Sequence, residues 1–463
     1  MKRPSRASIV PALSLAALAA CGSPPNRELV QRRESSLYGL SPSESRSVEL
    51  PIAADPQGEP QCEDTERVPG DLASYLDIGL QASAALRAAF EDWVAATERI
   101  ERASTLPDPK LIYGEFLESV QTRTGPQERR LGVSQAFPWP GRLGQEAAVA
   151  QRRADASWQR VQHVRLGVVK EIEVAFHEYA FLGRELEITG ELLKLLRDLE
   201  PVVQGQVSAG RGQEDILRLQ VEVGRLEDEL ASLERRRPAL SARLAAAVHL
   251  PDQRDVLPIP RLDPPGAESF DAMLSYEQAL TNNPELLELR ERVEVGRESE
   301  VLASFRRKPS FSIGLDYFDT SPLAGSSVGG NGDDPLFLAL SVSLPIWTAS
   351  YAAAEREARH VQRASQGRLD AFRLDLRARI EEEAFRIDDA RRKITLYRES
   401  LIPRATESLD LTLSAYRAAK APILDLIDSE RAKLEFELSF WRACRDYLQA
   451  AARLRAMTAG DLR

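Results

Sequence analysis

Between Pro140 and Pro201 the chain runs for 60 residues without a proline. As one helix this segment would reach roughly 90 Å at ~1.5 Å per residue. A chain of 463 residues has no globular core that could cover such a rod, so long helices here must pack along one another, and packing across chains is the expectation. The apolar spacing agrees. Ile216, Leu219, Val223, Leu226, Leu230 and Leu233 step by 3, 4, 3, 4, 3, the seam of a heptad repeat. Ile380, Ala384, Ile387, Ala390, Ile394, Tyr397 and Leu401 follow a similar rhythm. Composition fits long helices: 29 % of residues are charged and only 6 % aromatic. No run of the ~18–20 apolar residues needed by a spanning helix occurs, which excludes a polytopic helical membrane protein. A net charge of −10 disfavours nucleic acid as a partner through bulk charge.

The same plan occurs twice. Each half has a helical lead-in (about 71–104 and 271–307), a proline (Pro109 or Pro309), and a strand-like run. A polar loop and a second strand-like run follow, ending at Pro138 or Pro345. Each half then has a long helical stretch, an expected break at Pro201 or Pro403, and another long helix. The matching prolines lie 200, 207 and 202 positions apart. A period near 200 is too long for a solenoid and indicates an internal duplication. The repeats are expected at 71–257 and 271–463, joined by a Pro-rich linker at 258–270.

Residues 1–20 read as a signal peptide: Lys2, Arg3 and Arg6 precede a short apolar stretch, and small residues follow. Leu18-Ala19-Ala20-Cys21 resembles the bacterial lipobox, which implies palmitate-type acylation of Cys21. Gly22 after it implies sorting to the outer membrane. Residues 21–70, rich in Pro, Ser, Glu and Arg, suit a lipid-anchored tether. Cys62 and Cys444 lie in different contexts, and sequence cannot pair them.

The strand-like runs alternate. Leu336, Leu338, Leu340, Val342 and Leu344 share one face, and Phe337, Ala339, Ser341 and Ser343 the other. Phe311, Ile313, Leu315 and Tyr317 alternate with Ser310, Ser312, Gly314 and Asp316. Leu131, Val133, Gln135 and Phe137 alternate with Gly132, Ser134 and Ala136. The run at 111–119 alternates less cleanly. Each is near nine residues, about what a tilted strand needs to cross a bilayer. Polar loops are expected at 121–128 and 320–334. Four strands cannot close a membrane barrel, because small barrels need at least ~8 and lipid leaves no backbone group unpaired. Spanning strands would therefore be shared: two chains give eight, three twelve, four sixteen. The alternative is a soluble β-layer capping a helical bundle.

Enzyme signatures are weak. His177-Glu178 begins like a zinc-binding pair, but Phe181 stands where the second His would be, so His177 is expected on a helix surface. Gly210 and Gly212 lack the third glycine and preceding strand of a dinucleotide loop, and no nucleophile elbow or phosphate loop occurs. Glu381, Glu382 and Glu383 spread around a helix as a solvated face. The expectation is no enzyme, no cofactor and no metal site.

Lipobox, tether, duplicated strand–strand–helix plan and coiled coils together resemble a TolC-type outer-membrane factor, over about residues 72–462. Gly132-Val133-Ser134-Gln135-Ala136-Phe137-Pro138-Trp139-Pro140-Gly141-Arg142-Leu143 is similar to the strand-to-helix corner of the family's heavy-metal-efflux branch. Tyr416-Arg417-Ala418-Ala419-Lys420, followed by Ile423-Leu424-Asp425-Leu426-Ile427-Asp428, is similar to its helix-turn-helix tip. The first repeat offers Val207-Ser208-Ala209-Gly210-Arg211-Gly212. Ala419 departs from the usual Gly, and the first tip is one residue short. The resemblance implies a mainly α fold with a small β part, and a homotrimer with a twelve-stranded barrel in outer-membrane lipid and a periplasmic helical barrel. It implies a passive exit duct, with a periplasmic adaptor (membrane fusion protein) and an inner-membrane pump of RND type as partners. By motif match, Asp425 and Asp428 form the periplasmic gate. Ser208, Ala209, Gly210, Arg211 and Gly212, with Arg417, Ala418, Ala419, Lys420 and Ala421, are the adaptor-contact tips. A poreless coiled-coil lipoprotein, or the duct of a type I protein exporter, are the other readings.

Overall fold

The computed structural model describes residues 29–30, 32–34, 37, 70–208, 213–250, 256–266, 270–418 and 420–459. Contacts divide the chain into Met1–Gln61 and Cys62–Arg463, and the helices and sheet named here lie in the second unit. Cys21, Cys62 and the signal peptide lie outside the described residues.

Both repeats begin with the same pair of helices. Helix α1 (Leu72–Ala82) starts at Asp71, whose carboxylate accepts from the Ser74 amide, and α2 (Ala84–Ser104) starts at Ser83, whose hydroxyl accepts from the Leu86 amide. In the second repeat α5 (Ala272–Asn282) starts at Asp271 and α6 (Pro284–Ser304) at Asn283, with equivalent side-chain caps. A side-chain oxygen at these positions satisfies amides that a helix end leaves orphaned. The duplication thus extends to its capping residues, 200 positions apart. Each expected lead-in is two helices broken at a cap.

Helix α3 (Arg142–Ser208) has 67 residues and α4 (Gln213–Ala247) has 35. In the second repeat α7 (Thr348–Leu396) passes through a π turn at Tyr397–Leu401 into α8 (Ile402–Arg417), and α9 (Ile423–Thr458) returns. The expected breaks at Pro201 and Pro403 do not separate helices. Pro201 lies inside α3, and Pro403 sits in the first turn of α8, where its missing amide has no partner to lose. The π turn before Pro403 absorbs the misfit locally.

The heptad seams, expected to pack across chains, are instead covered within one chain because the two repeats fold their long helices against each other. Leu219 and Leu226 are buried with Leu196, Leu199 and Val203 of α3 and with Tyr416, Ile423, Leu426 and Ile427 of the second repeat. Ile380, Ile387 and Ile394 pack against Phe440, Cys444, Tyr447 and Leu454. The free Cys444 thiol is buried, which pushes its pKa up to about 12. Tyr75, Ile172, Phe176 and Tyr179 join Leu244 and Val248 in a third cluster. Trp93 packs against Trp158, ring centroids 5.0 Å apart. The chain is strapped to α3 and α4 as it enters the Pro-rich linker: the Tyr179 hydroxyl donates to the Leu257 carbonyl at 2.6 Å and the Leu257 amide donates to Ser241 Oγ at 2.8 Å. Within the linker Leu262 is buried and its carbonyl accepts from Arg184 at 2.9 Å.

Two surface expectations fail, because α3 is covered by α1, α4 and α9, and α7 by α9. His177 is 7 % exposed, and burial, aided by Arg455, lowers its pKa to about 4. Glu383 is also buried, facing Arg386 at 3.3 Å and Arg453 at 3.7 Å, and burial raises its pKa.

Candidate functional site: the sheet and the helical tips

Strands β1 (Lys110–Thr122), β2 (Gly125–Phe137), β3 (Ser310–Thr320) and β4 (Leu336–Ser343) form one antiparallel sheet in that order. The two repeats meet at the β2–β3 pairing. Residues 121–128, expected as a loop, are mostly strand, and the turn is residues 123–124. There Gly125 adopts φ +135°, and a Cβ would sit 1.9 Å from the Ser321 carbonyl oxygen, so only glycine fits. Residues 321–335 form the second connection, tied by the Asn331 side chain to both backbone groups of Leu323 and by Asp334 to the Thr320 amide.

Register sorts the side chains into two faces. On one, Leu111, Val133, Leu315 and Leu338 stand in a row, and Tyr113, Leu131, Tyr317 and Leu336 in the next. Ile313 and Leu340, then Phe311 and Val342, continue it beside Gln135 and Phe137. The rows from Phe137 to Leu131 extend about 20 Å along the strand at ~3.4 Å per residue. Beyond them Glu115, Arg129 and Asp319 form a charged row. The face is exposed in the single chain: Leu338 is 69 % accessible and Leu340 71 %. The opposite face carries Ser134, Gly314 and Ala339, then Ser312 and Ser341, then Gly132 and Asp316 beside Ile112 and Phe337. An apolar face opposite a small and polar one matches a membrane barrel, with lipid outside and water within. Tyrosines at one end, and Trp139 and Trp347 at the other, sit where interfacial aromatic girdles belong.

The polar face holds a pair that sequence reading missed. Arg130 donates to both oxygens of Asp316 across β2–β3, each at 3.0 Å, and the Asp316 side chain is 5 % exposed. Gly132 makes the room: a Cβ there would lie 2.0 Å from Asp316 Oδ1. Asp316 showed as polar in the alternation, but its partner emerges only from the register.

At the helix end of the sheet, Trp139-Pro140-Gly141-Arg142 forms a turn in which the Arg142 amide donates to the Trp139 carbonyl at 3.0 Å. Gly141 has φ +87° at the third position, where a type II turn requires it. This turn redirects β2 into α3.

The far end of the bundle carries the tips. Ser208 ends α3, while Ala209, Gly210, Arg211, Gly212 and Ala419 lie outside the described residues. Arg417, Ala418 and Lys420 are exposed, and Ala421 is half-buried. Asp425 stands in the first turn of α9, where the helix dipole favours an anion. Asp425 and Asp428 are both exposed, three residues apart on one flank, while Ile423, Leu426 and Ile427 turn inward. Asp428 lies 4.0 Å from Arg431. Arg431 binds both oxygens of Glu222 on α4, and Arg225 donates to Glu222 Oε1 at 2.7 Å. Burial would raise the Glu222 pKa, but hydrogen bonds from Arg431 and Arg225 outweigh it and hold the carboxylate ionised. This buried latch between the repeats was also invisible in sequence.

Among the described residues no cluster of His, Cys, Asp or Glu could hold a metal ion, and no helix is long and apolar enough to cross a membrane.

Residues 275–460 match the model of the family described as outer membrane efflux protein. A search of curated protein sequences gives no match. The fold is similar to that of the outer membrane protein VceC from Vibrio cholerae, at 16 % identity over 85 % of this chain and 97 % of that one, TM-score 0.69. It is similar to the MtrE outer membrane channel of Neisseria gonorrhoeae, at 17 % identity over 85 % and 89 %, TM-score 0.69. CusC matches at 14 % identity over 89 % of this chain and all of that chain, TM-score 0.71.

Proposed function

We propose that this chain, whose residues 275–460 match the model of the outer membrane efflux protein family, is the outer-membrane exit duct of a tripartite efflux system. The observation that carries the reading is the two-faced sheet: four strands with a continuous apolar face and two open edges, β1 and β4, in a fold similar to solved outer-membrane channels. Three copies, edge to edge, close a twelve-stranded barrel that buries every edge in hydrogen bonds. The apolar rows then face lipid, and the Ser, Gly, Arg130 and Asp316 face lines water. The helices continue the conduit into the periplasm and end at tips that meet an adaptor, with an RND-type inner-membrane pump supplying the energy. The duct is passive. The poreless scaffold leaves the apolar face of the sheet without a role.

The duct is tested in liposomes loaded with a small fluorescent dye and a large dextran. Incorporation of the purified protein is expected to release the dye. Retention of both overturns the reading. The tether carries a separate expectation: Cys21 of the mature protein bears acyl chains, detected as added mass on the N-terminal peptide, and Cys21→Ala abolishes that mass. An unmodified Cys21 in native membranes would refute the anchor.

A further inference from the structure

Glu430 follows Asp425 and Asp428 on α9 but turns inward. It is 2 % exposed, and neither of its carboxylate oxygens has a hydrogen-bond partner. The space beside it is a partly open pocket of about 90 Å³. From α3 this pocket receives Ile188, Glu191, Leu192 and Leu195, and from α8 it receives Leu409. On α9 it meets Lys433, Leu434 and Glu437, and Lys433 lies 3.6 Å from Glu437. From α4 the Glu222 carboxylate acts on Glu430 as a like charge, and the two arginines close to Glu222 are already bound to it. Among the described residues no cation is paired with Glu430, and the pull of Lys433, which also faces Glu437, is outweighed by burial, so the packed tip holds Glu430 as the neutral acid.

We propose that Glu430 is a proton-operated latch: while protonated it lets the α3–α4 and α8–α9 pairs stay packed at the tip, and its ionisation loosens them. What the loosening opens rests on the duct reading; the loosening itself does not. Burial first, and then Glu222, push the Glu430 pKa up to about 8 against the opposing pull of Lys433. The packed state therefore holds the proton more tightly than an opened state in which Glu430 is solvated near its ordinary 4.5. Packing is fully favoured below that ordinary value and is lost as pH rises through about 8. Within this window each pH unit shifts the opened-to-packed ratio by up to about tenfold. Glu222, held ionised by its arginines, does not titrate in the window.

The test is amide hydrogen exchange of the full-length, detergent-extracted protein over residues 405–434, comparing wild type with Glu430→Gln at pH 6 and pH 8.5. Comparison at equal pH cancels the intrinsic exchange rate. Wild type is expected to lose protection relative to Glu430→Gln by more than tenfold between the two pH values. If the glutamine variant does not assemble, Glu430→Leu, also neutral, takes its place with the same expectation. A ratio of wild type to variant that stays constant with pH overturns the latch. Absence of pores at both pH values, with the exchange difference intact, overturns the duct reading and leaves the latch standing.

Discussion

Replacing Asp425 and Asp428 together with alanine is expected to raise single-channel conductance severalfold and to weaken block by trivalent cations. Both carboxylates are exposed on one flank of α9, beside the inward-turning Ile423, Leu426 and Ile427. In the proposed trimer three such flanks would converge on the axis and bring six carboxylates together. Such a ring attracts cations, and a multivalent one bridges several carboxylates at once. Its nearest counter-charge is weak. Arg431 is 4.0 Å from Asp428 and is engaged with Glu222. At that distance a solvated pair is worth about 1 kcal/mol. Removing the carboxylates therefore takes away the cation site and the constriction while leaving the buried face of α9 intact. Unchanged conductance and unchanged block would remove these two residues from the gate.

The second large effect separates the faces of the sheet. Leu338→Arg places a charge in the apolar row between Tyr113–Leu336 and Ile313–Leu340, and an arginine facing lipid at mid-depth costs about 2–4 kcal/mol per copy. Three copies compound it, so the oligomer in detergent, measured by its mass, and the fraction inserted into liposomes are both expected to collapse. Ser341→Arg, three residues along the same strand, points to the opposite face and is expected to keep oligomer and insertion while lowering cation conductance. Equal tolerance of the two substitutions, or the reverse order, would show that the apolar face does not meet lipid.

Much of this architecture was legible because two periods dominate the sequence. Period two placed Leu336 to Val342, Phe311 to Tyr317 and Leu131 to Phe137 on the faces they occupy. The heptad spacing marked Leu219, Leu226, Ile380 and Ile387 as buried seams. Illegible features depend on partners distant in sequence. Residues 121–128 look like a loop because strands that outrun the apolar band are polar on both faces. Proline misled at Pro201 because a long packed helix tolerates one lost backbone bond when its neighbours hold it in place. A charged residue in a helix reads as solvated, so Glu222, Glu383 and Glu430 became buried only once α4, α7 and α9 were packed together. The Arg130–Asp316 pair spans 186 residues and needed the β2–β3 register. For the proposed gate, the resemblance pointed to Asp425 and Asp428, and the structure shows both exposed on one flank of α9.

The central claim is that copies of this chain share one membrane barrel. Its most direct test measures the mass of the detergent-extracted particle together with the planar-bilayer conductance of the same fraction. The account predicts a particle of three chains that forms steady pores across a wide voltage range. A monomer without pores would contradict it, and would leave the sheet as a cap on a helical scaffold.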